Sequence, residues 1–234
     1  FAPGSMNKLW IGTENGINYY LYKSKQLKTF TVTADGKKVK YVHSIHELND
    51  TTLWVSTVGE GIVKIILNKN GIAPTVKSAT RIILDGGRLA SNYFFTSFQE
   101  NDSILWFGNR GYGAHRLNLE TGKFIPYKFD NIVNSQMAND IFAIYKNENG
   151  YWFATSSGLL HFNQEGSQHH NKVELLSKNT AHGMLEDQQN NIWISTNQGL
   201  VKFNPKTHTG QTYDRKNGLE VTEFSDGAFY KDIP

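Results

Sequence analysis

The side chains of this sequence best suited to holding a ligand lie in short, glycine-bounded loops. Arg110 and Tyr112 flank Gly111, with Gly108 and Gly113 on either side, so a guanidinium and a phenol project from one small loop. An acidic ligand would pair with Arg110. Comparable loops carry Glu14 and Asn15, Gly59 and Glu60, Ser156 and Ser157, and Asn197 and Gln198. Other connections add Asn92, Tyr93, Asn139, Asp140, Asn179 and Thr180. Carboxylates and amides bond hydroxyl groups, and aromatic faces pack on the apolar side of a sugar ring. The chemistry this set suits is reversible binding of a polyhydroxylated ligand.

Other chemistries find less support. The chain has no cysteine, which removes disulfides, thiolate metal sites and cysteine nucleophiles. It has no HExxH, no EF-hand loop and no glycine-rich phosphate loop. His169 and His170 read as part of a polar loop. His43 and His46, three apart on a presumed strand, are expected on opposite faces. No metal and no cofactor is expected. A glycan hydrolase of the sialidase kind needs several converging arginines and a tyrosine–carboxylate pair. The five arginines here (Arg81, Arg88, Arg110, Arg116 and Arg215) occupy no recurring position. Net charge is +3 and dispersed, and the run Lys37-Lys38-Val39-Lys40 reads as a solvated turn and strand entry, so no nucleic-acid partner is expected. No apolar stretch approaches the ~20 residues that cross a bilayer, so a membrane would be met only through regions not present.

The loops recur because the sequence recurs. Trp10, Trp54, Trp106, Trp152 and Trp193 are spaced by 44, 52, 46 and 41 residues, and the text around them repeats at 9–17, 53–62, 105–114, 151–159 and 192–200. The pattern is apolar, Trp, β-former, small residue, Thr or Asn, short loop, Gly. A period of 40–50 residues with aromatic, Thr, Val and Ile content means four short strands per unit. Within one unit the strands are expected at 41–47, 53–57, 62–67 and 79–84, with turns at 49–52, 59–61 and 68–71. In the last they are expected at 183–186, 192–196, 200–203 and 211–213.

Four short strands cannot bury both faces alone, so the sheets must stack. The five tryptophans are then structural, each filling an inter-sheet space. The small residue two places on (Gly12, Ser56, Gly108, Ala154, Ser195) leaves room for the neighbouring sheet, and the loop glycine permits a positive φ. The fold class is all-β, a β-propeller with about five four-stranded blades spanning 1–234, or part of a larger, seven-bladed one. The chain is expected to begin at a second strand, with Gly4-Ser5-Met6 an added leader. It is expected to end with a first strand at 224–231 that lacks its second. The two ends either complete one another and close a ring, or mark a slice of a larger propeller.

The repeat resembles that of the two-component-regulator propellers. The residues that carry the resemblance are Leu9-Trp10-Ile11-Gly12-Thr13-Glu14-Asn15-Gly16-Ile17 and the run from Ile192 to Pro205, with Ser91-Asn92, Ala138-Asn139-Asp140 and Asn217-Gly218-Leu219 as flanking echoes. It implies the periplasmic sensor region of a hybrid histidine-kinase regulator of Bacteroides-type bacteria. Such a region senses glycan-derived oligosaccharides, controls genes for their use and, with the rest of its ectodomain, forms a homodimer. The kinase would lie outside this chain, which itself is expected to have no enzymatic activity. A protein-interaction scaffold and a glycan hydrolase are the alternatives. A WD-type scaffold is disfavoured because Ile, Val or Phe follows every tryptophan.

Overall fold

Alternation of large apolar residues along each tryptophan segment produces a strand with two usable faces, and hairpin turns on either side supply its neighbours. The computed structural model describes residues 2–4, 8–68, 73–83, 89–130, 135–162, 170–172, 176, 179–227 and 229. Among them are five four-stranded sheets. The first joins β1 (Ala2–Gly4), β2 (Lys8–Thr13), β3 (Gly16–Leu21) and β4 (Gln26–Phe30). A two-stranded hairpin follows, β5 (Thr33–Ala34) and β6 (Lys37–Lys38). The second sheet holds β7 (Val42–Asn49), β8 (Thr52–Thr57), β9 (Ile62–Leu67) and β10 (Val76–Ile82). The third holds β11 (Phe94–Asn101), β12 (Ile104–Asn109), β13 (Ala114–Asn118) and β14 (Phe124–Tyr127). After a one-turn helix, α1 (Ser135–Ala138), come β15 (Ile141–Asn147), β16 (Gly150–Thr155), β17 (Gly158–Phe162) and β18 (His170–Lys172). The last sheet is β19 (Ala181–Glu186), β20 (Ile192–Thr196), β21 (Gly199–Asn204) and β22 (Thr209–Tyr213). In every sheet the strands follow in chain order, and the recorded pairings are antiparallel. These are propeller blades, as the period predicts.

The chain divides into two compact units, residues 1–107 with 115–126, and residues 108–114 with 127–234. In the first unit, Trp10 shares a core with Leu53 and Val55 of β8, whereas Trp54, between them on the same strand, joins Leu105 and Phe107 of β12. In the second, Trp152 packs with Ile192, Ile194 and Phe203, and its ring lies 5.7 Å from that of Phe203. Adjacent residues of a strand thus serve different inter-sheet layers. The small residue behaves as the repeat implies. A Cβ on Gly12 would lie 2.5 Å from Cγ1 of Val42, and Ser56 Oγ donates to the Thr96 carbonyl at 3.5 Å.

The turn after the second strand has its own lock. The repeat threonine donates its hydroxyl to the carbonyl of the loop glycine: Thr13 to Gly16 at 3.0 Å, Thr57 to Gly61 at 2.6 Å, Thr155 to Gly158 at 2.9 Å and Thr196 to Gly199 at 2.8 Å. Ala154 leaves this arrangement intact in its copy. Indole N–H groups of other repeats are also placed, whereas that of Trp54 is buried without a hydrogen-bond partner among the described residues. Trp106 donates to Glu100, Trp152 to Asn147 and Trp193 to Asp187, at 2.7, 3.0 and 3.0 Å.

Asp187 is the most heavily used of these acceptors. Burial pushes its carboxyl up, but the Asn191 N–H, the Trp193 indole, the Asn191 amide and the Gln189 N–H all donate to it. Together they hold it well below the usual carboxylate range. A folded pKa below the unfolded one contributes stability above the unfolded pKa and loses it as pH falls. Thermal unfolding followed from pH 5 downward is therefore expected to show a loss beginning near pH ~4. The Asp187→Asn variant should begin less stable and lose less over that range.

Several expectations require correction. The first sheet does not begin at its second strand: Ala2–Gly4 form β1, with Ala2 opposite Trp10, so Gly4 of the expected leader is strand and the sheet has four strands, while Ser5 and Met6 lie outside the described residues. The described residues of 224–231 form no strand, because the Phe224 N–H turns to the Thr196 carbonyl at 3.4 Å and a bend follows at 226–227. His170 belongs not to a loop but to β18, opposite Phe162. His169, Arg88, the end of the strand predicted at 79–84 and most of the turn at 68–71 lie outside the described residues.

Candidate functional site

In the first unit, the loops after the second strands and the entries to the next first strands meet, as the alternating strand direction requires. The Tyr41 N–H donates to the Glu14 carbonyl at 2.9 Å. The Val58 N–H donates to the Tyr41 carbonyl at 2.9 Å, and the N–H groups of Gly59 and Gly61 donate to the Asn92 carbonyl at 3.0 and 2.9 Å. This backbone chain ties Glu14, Asn15, Glu60, Asn92 and Tyr93 into one end of the sheets. Glu14 and Asn15 are exposed turn residues. Tyr93 is 45% exposed, and the space above Gly59 faces its ring edge.

Tyr41 belongs to this group and was not among the predicted residues. It is 50% exposed and takes φ +52°, uncommon for a bulky side chain, held by the two hydrogen bonds of its own peptide groups. The signal was in the repeat: Tyr41 and Tyr93 each immediately precede the first apolar residue of an innermost strand, Val42 and Phe94. Glu60, by contrast, is already paired. Its carboxylate accepts from Arg81 Nη1 at 2.6 Å, and Arg81 also reaches the Glu60 and Lys37 carbonyls. The backbone N–H of Arg81 donates to Asp35 of the β5–β6 hairpin at 3.2 Å, so together with the guanidinium's bond to the Lys37 carbonyl this residue fastens the hairpin to β10.

In the second unit, Arg110 and Tyr112 are exposed on their lengthened loop, and the Lys128 ammonium lies 5.1 Å from the centre of the Tyr112 ring. Asn139 does not join them as a surface group. It is 2% exposed, its Oδ1 accepts from the Phe129 N–H at 2.8 Å, its Nδ2 donates to Asp130 at 3.3 Å, and its carbonyl accepts from Gly113 at 2.9 Å. The amide pins the loop from beneath. Asp140 accepts from Ser156 Oγ at 3.0 Å. Asn197 Oδ1 accepts from the Thr180 N–H at 3.1 Å, while Gln198 is exposed and Asn179 half-buried.

The innermost strands carry a second set. β7, β15 and β19 each shift register after their first pair, a bulge that re-aims His43, Phe142 and His182. Because of it, His43 and His46 do not part company as simple alternation predicts. His43 Nδ1 lies 2.7 Å from the Phe95 carbonyl and His46 Nε2 lies 3.0 Å from Gln99 Oε1, so both reach β11. Burial lowers the pKa of His46. On β15, Tyr145 donates to Glu186 at 2.6 Å; burial first, then that bond, raises the phenol pKa. Among the described residues, no group of three or more His, Asp or Glu is arranged to hold a metal.

Comparison with known proteins adds the following. Residues 175–198 match the two-component regulator propeller family. Histidine kinase P4 of Formosa agariphila is 28% identical over 94% of this chain, which spans 16% of that protein. The extracellular domain of the hybrid two-component system BT3049 of B. thetaiotaomicron superposes with a TM-score of 0.71 at 21% identity, over 94% of this chain and 29% of that one. That of BT4673 gives 0.72 at 19%, over 92% and 29%. The chain therefore carries the two-component regulator propeller repeat on a β-propeller fold, and spans under a third of each of these relatives. No helix among the described residues is long and apolar enough to cross a membrane.

Proposed function

We propose that this chain is part of the extracytoplasmic, ligand-sensing propeller of a hybrid two-component regulator, placed in the periplasm and binding a glycan-derived oligosaccharide. The regulator reading is supported by the repeat at 175–198 and by likeness to a histidine kinase and to two-component extracellular domains. The observation that carries the ligand reading is the loop end of the first unit. There Tyr41 is half exposed next to the solvated Glu14 and Asn15, and Tyr93 is half exposed at the next loop, beside Gly59, so two rings are available to a sugar's apolar face and a carboxylate and an amide to its hydroxyls. Binding there reaches a kinase only if the ligand has different affinities for two states of the longer ectodomain, taken here to be a homodimer. The kinase and control of carbohydrate-use genes belong to the remainder of the protein.

The test is a thermal-shift screen against defined oligosaccharides, with product analysis for cleavage. A ligand at 100 times its Kd adds about 2.7 kcal/mol. One glycan is expected to raise the Tm without being cleaved, and Tyr41→Ala and Tyr93→Ala are each expected to weaken it about tenfold, the equivalent of ~1.4 kcal/mol. Cleavage would replace this reading with a hydrolase. No shift with any glycan, in this chain and in the full ectodomain, would leave an interaction scaffold.

A further inference from the structure

Two of the turns that follow a second strand are longer than the rest, and each carries a charged residue: Glu60 between Gly59 and Gly61, and Arg110 before Gly111. Both close in the same way. The Thr57 N–H donates to the Gly61 carbonyl at 3.1 Å, and the Asn109 N–H to the Gly113 carbonyl at 2.8 Å. Their charges fare differently. Glu60 is engaged within the fold, by the Arg81 guanidinium and the Lys40 N–H. Arg110 is exposed and has no acidic partner among the described residues.

The surroundings of Arg110 are held firmly. Asn139 lies beneath the turn, with its carbonyl on the Gly113 N–H and its side chain on the Phe129 N–H and Asp130. Gly113 lies so close to the Tyr127 carbonyl that no Cβ fits between them. The turn at 109–113 and the exit from β14 at 127–130 are therefore bound together. That fixes Lys128, on the exit, against Tyr112, on the turn, with the ammonium 5.1 Å from the ring centre. Lys128 and Tyr112 are both exposed, as is Met137 of α1, two residues before Asn139. The acids of this region are the exposed Asp130 and the half-buried Asp140. They accept from Asn139 and Ser156, and neither forms an ion pair with Arg110 or Lys128. A guanidinium, an ammonium and a phenol thus share one platform whose geometry is set from beneath by a buried amide.

We infer that this platform is an oxyanion subsite that takes the carboxylate or sulfate ester of an acidic sugar. Arg110 holds two of the oxygens through paired N–H groups. Lys128 adds the second positive charge, and the Tyr112 hydroxyl is free to bond a sugar hydroxyl. The inference rests on the glycan reading for the rest of the ligand, but it uses neither Tyr41 nor Tyr93.

Heteronuclear NMR of the arginine Nε–H groups in the whole chain tests it, with the Arg110 signal identified by its loss in Arg110→Lys. The probes are glucuronate, galacturonate and sulfated galactose, with the methyl ester of each uronate and inorganic sulfate as controls. At least one charged sugar is expected to shift the Arg110 signal saturably, while the uncharged esters leave it in place. Whether a uronate or the sulfated sugar does so identifies the source of the oxyanion. By ligand-observed saturation transfer, Arg110→Gln should weaken binding about tenfold or more. Lys128→Gln should weaken it about threefold. Raising the salt to ~1 M, where the screening length is about 3 Å, should weaken it in the wild type. No saturable shift with any charged sugar would overturn the proposal. So would equal shifts with the methyl esters, or a shift with inorganic sulfate alone. If a neutral glycan still raises the Tm in the thermal screen, the reading built on Tyr41 and Tyr93 stands without this subsite.

Discussion

Gly113→Ala is expected to be among the most destabilising single methyl additions in the molecule, while the same change two residues earlier is mild. Gly111 and Gly113 share one loop and nearly the same backbone, φ +77° and +74°. A non-glycine residue there costs about 1–2 kcal/mol. They differ in surroundings. Nothing lies within 4 Å of a Cβ on Gly111, but on Gly113 it would sit 2.0 Å from the Tyr127 carbonyl oxygen and 2.9 Å from Asn139 Oδ1. Neither neighbour can yield, because Tyr127 ends β14 and the Asn139 amide is committed to Phe129 and Asp130. Overpacking adds about 1–3 kcal/mol. Urea titration should give a loss of about 3 kcal/mol or more for Gly113→Ala and about 1 kcal/mol for Gly111→Ala. Equal losses would show that backbone conformation alone governs the loop.

The second large effect is at a tryptophan. Trp152 is fully buried between its own sheet and the next, with the His161 ring stacked at 4.0 Å and Phe203 edge-on. Truncating a buried tryptophan to alanine costs about 3–5 kcal/mol. Trp152→Ala should reach that range in denaturant unfolding and also leave Asn147 Oδ1 without its indole donor. Trp193→Ala, at the same position of a half-covered face, should cost about half as much, since less area leaves water there on folding. Equal costs would mean that Trp193 is covered in solution.

The sequence carried the blade architecture because the residues that build it repeat. Trp, the small residue, the Thr or Asn and the glycine recur five times, and strands such as Ile62–Leu67 and Ile192–Thr196 fall where periodicity puts them. What it hid was local and unrepeated. β1 is Ala-Pro-Gly, a composition with no strand signal, held by its pairing to β2. The bulge at His43 obeys no alternation, so the facing argument for His43 and His46 failed there. At the candidate site, type and position gave the exposed Arg110, Tyr112 and Tyr93. They could not distinguish Asn197, whose side chain caps an exposed turn, from Asn139, whose amide is drawn under a loop by Phe129. Nor could they show that Arg81 would occupy Glu60.

The threonine–glycine clasp bears on the order in which this chain acquires structure. Each clasp closes within three or four residues and needs nothing from another repeat. The loop entropy for such a contact is small, so these hairpins can form early and independently. The tryptophan layers join residues of different repeats and must wait for two finished hairpins. A repeat therefore supplies its own nucleus while depending on its neighbour for most of its stability. That division lets a repeat be gained or lost without any turn having to be reinvented.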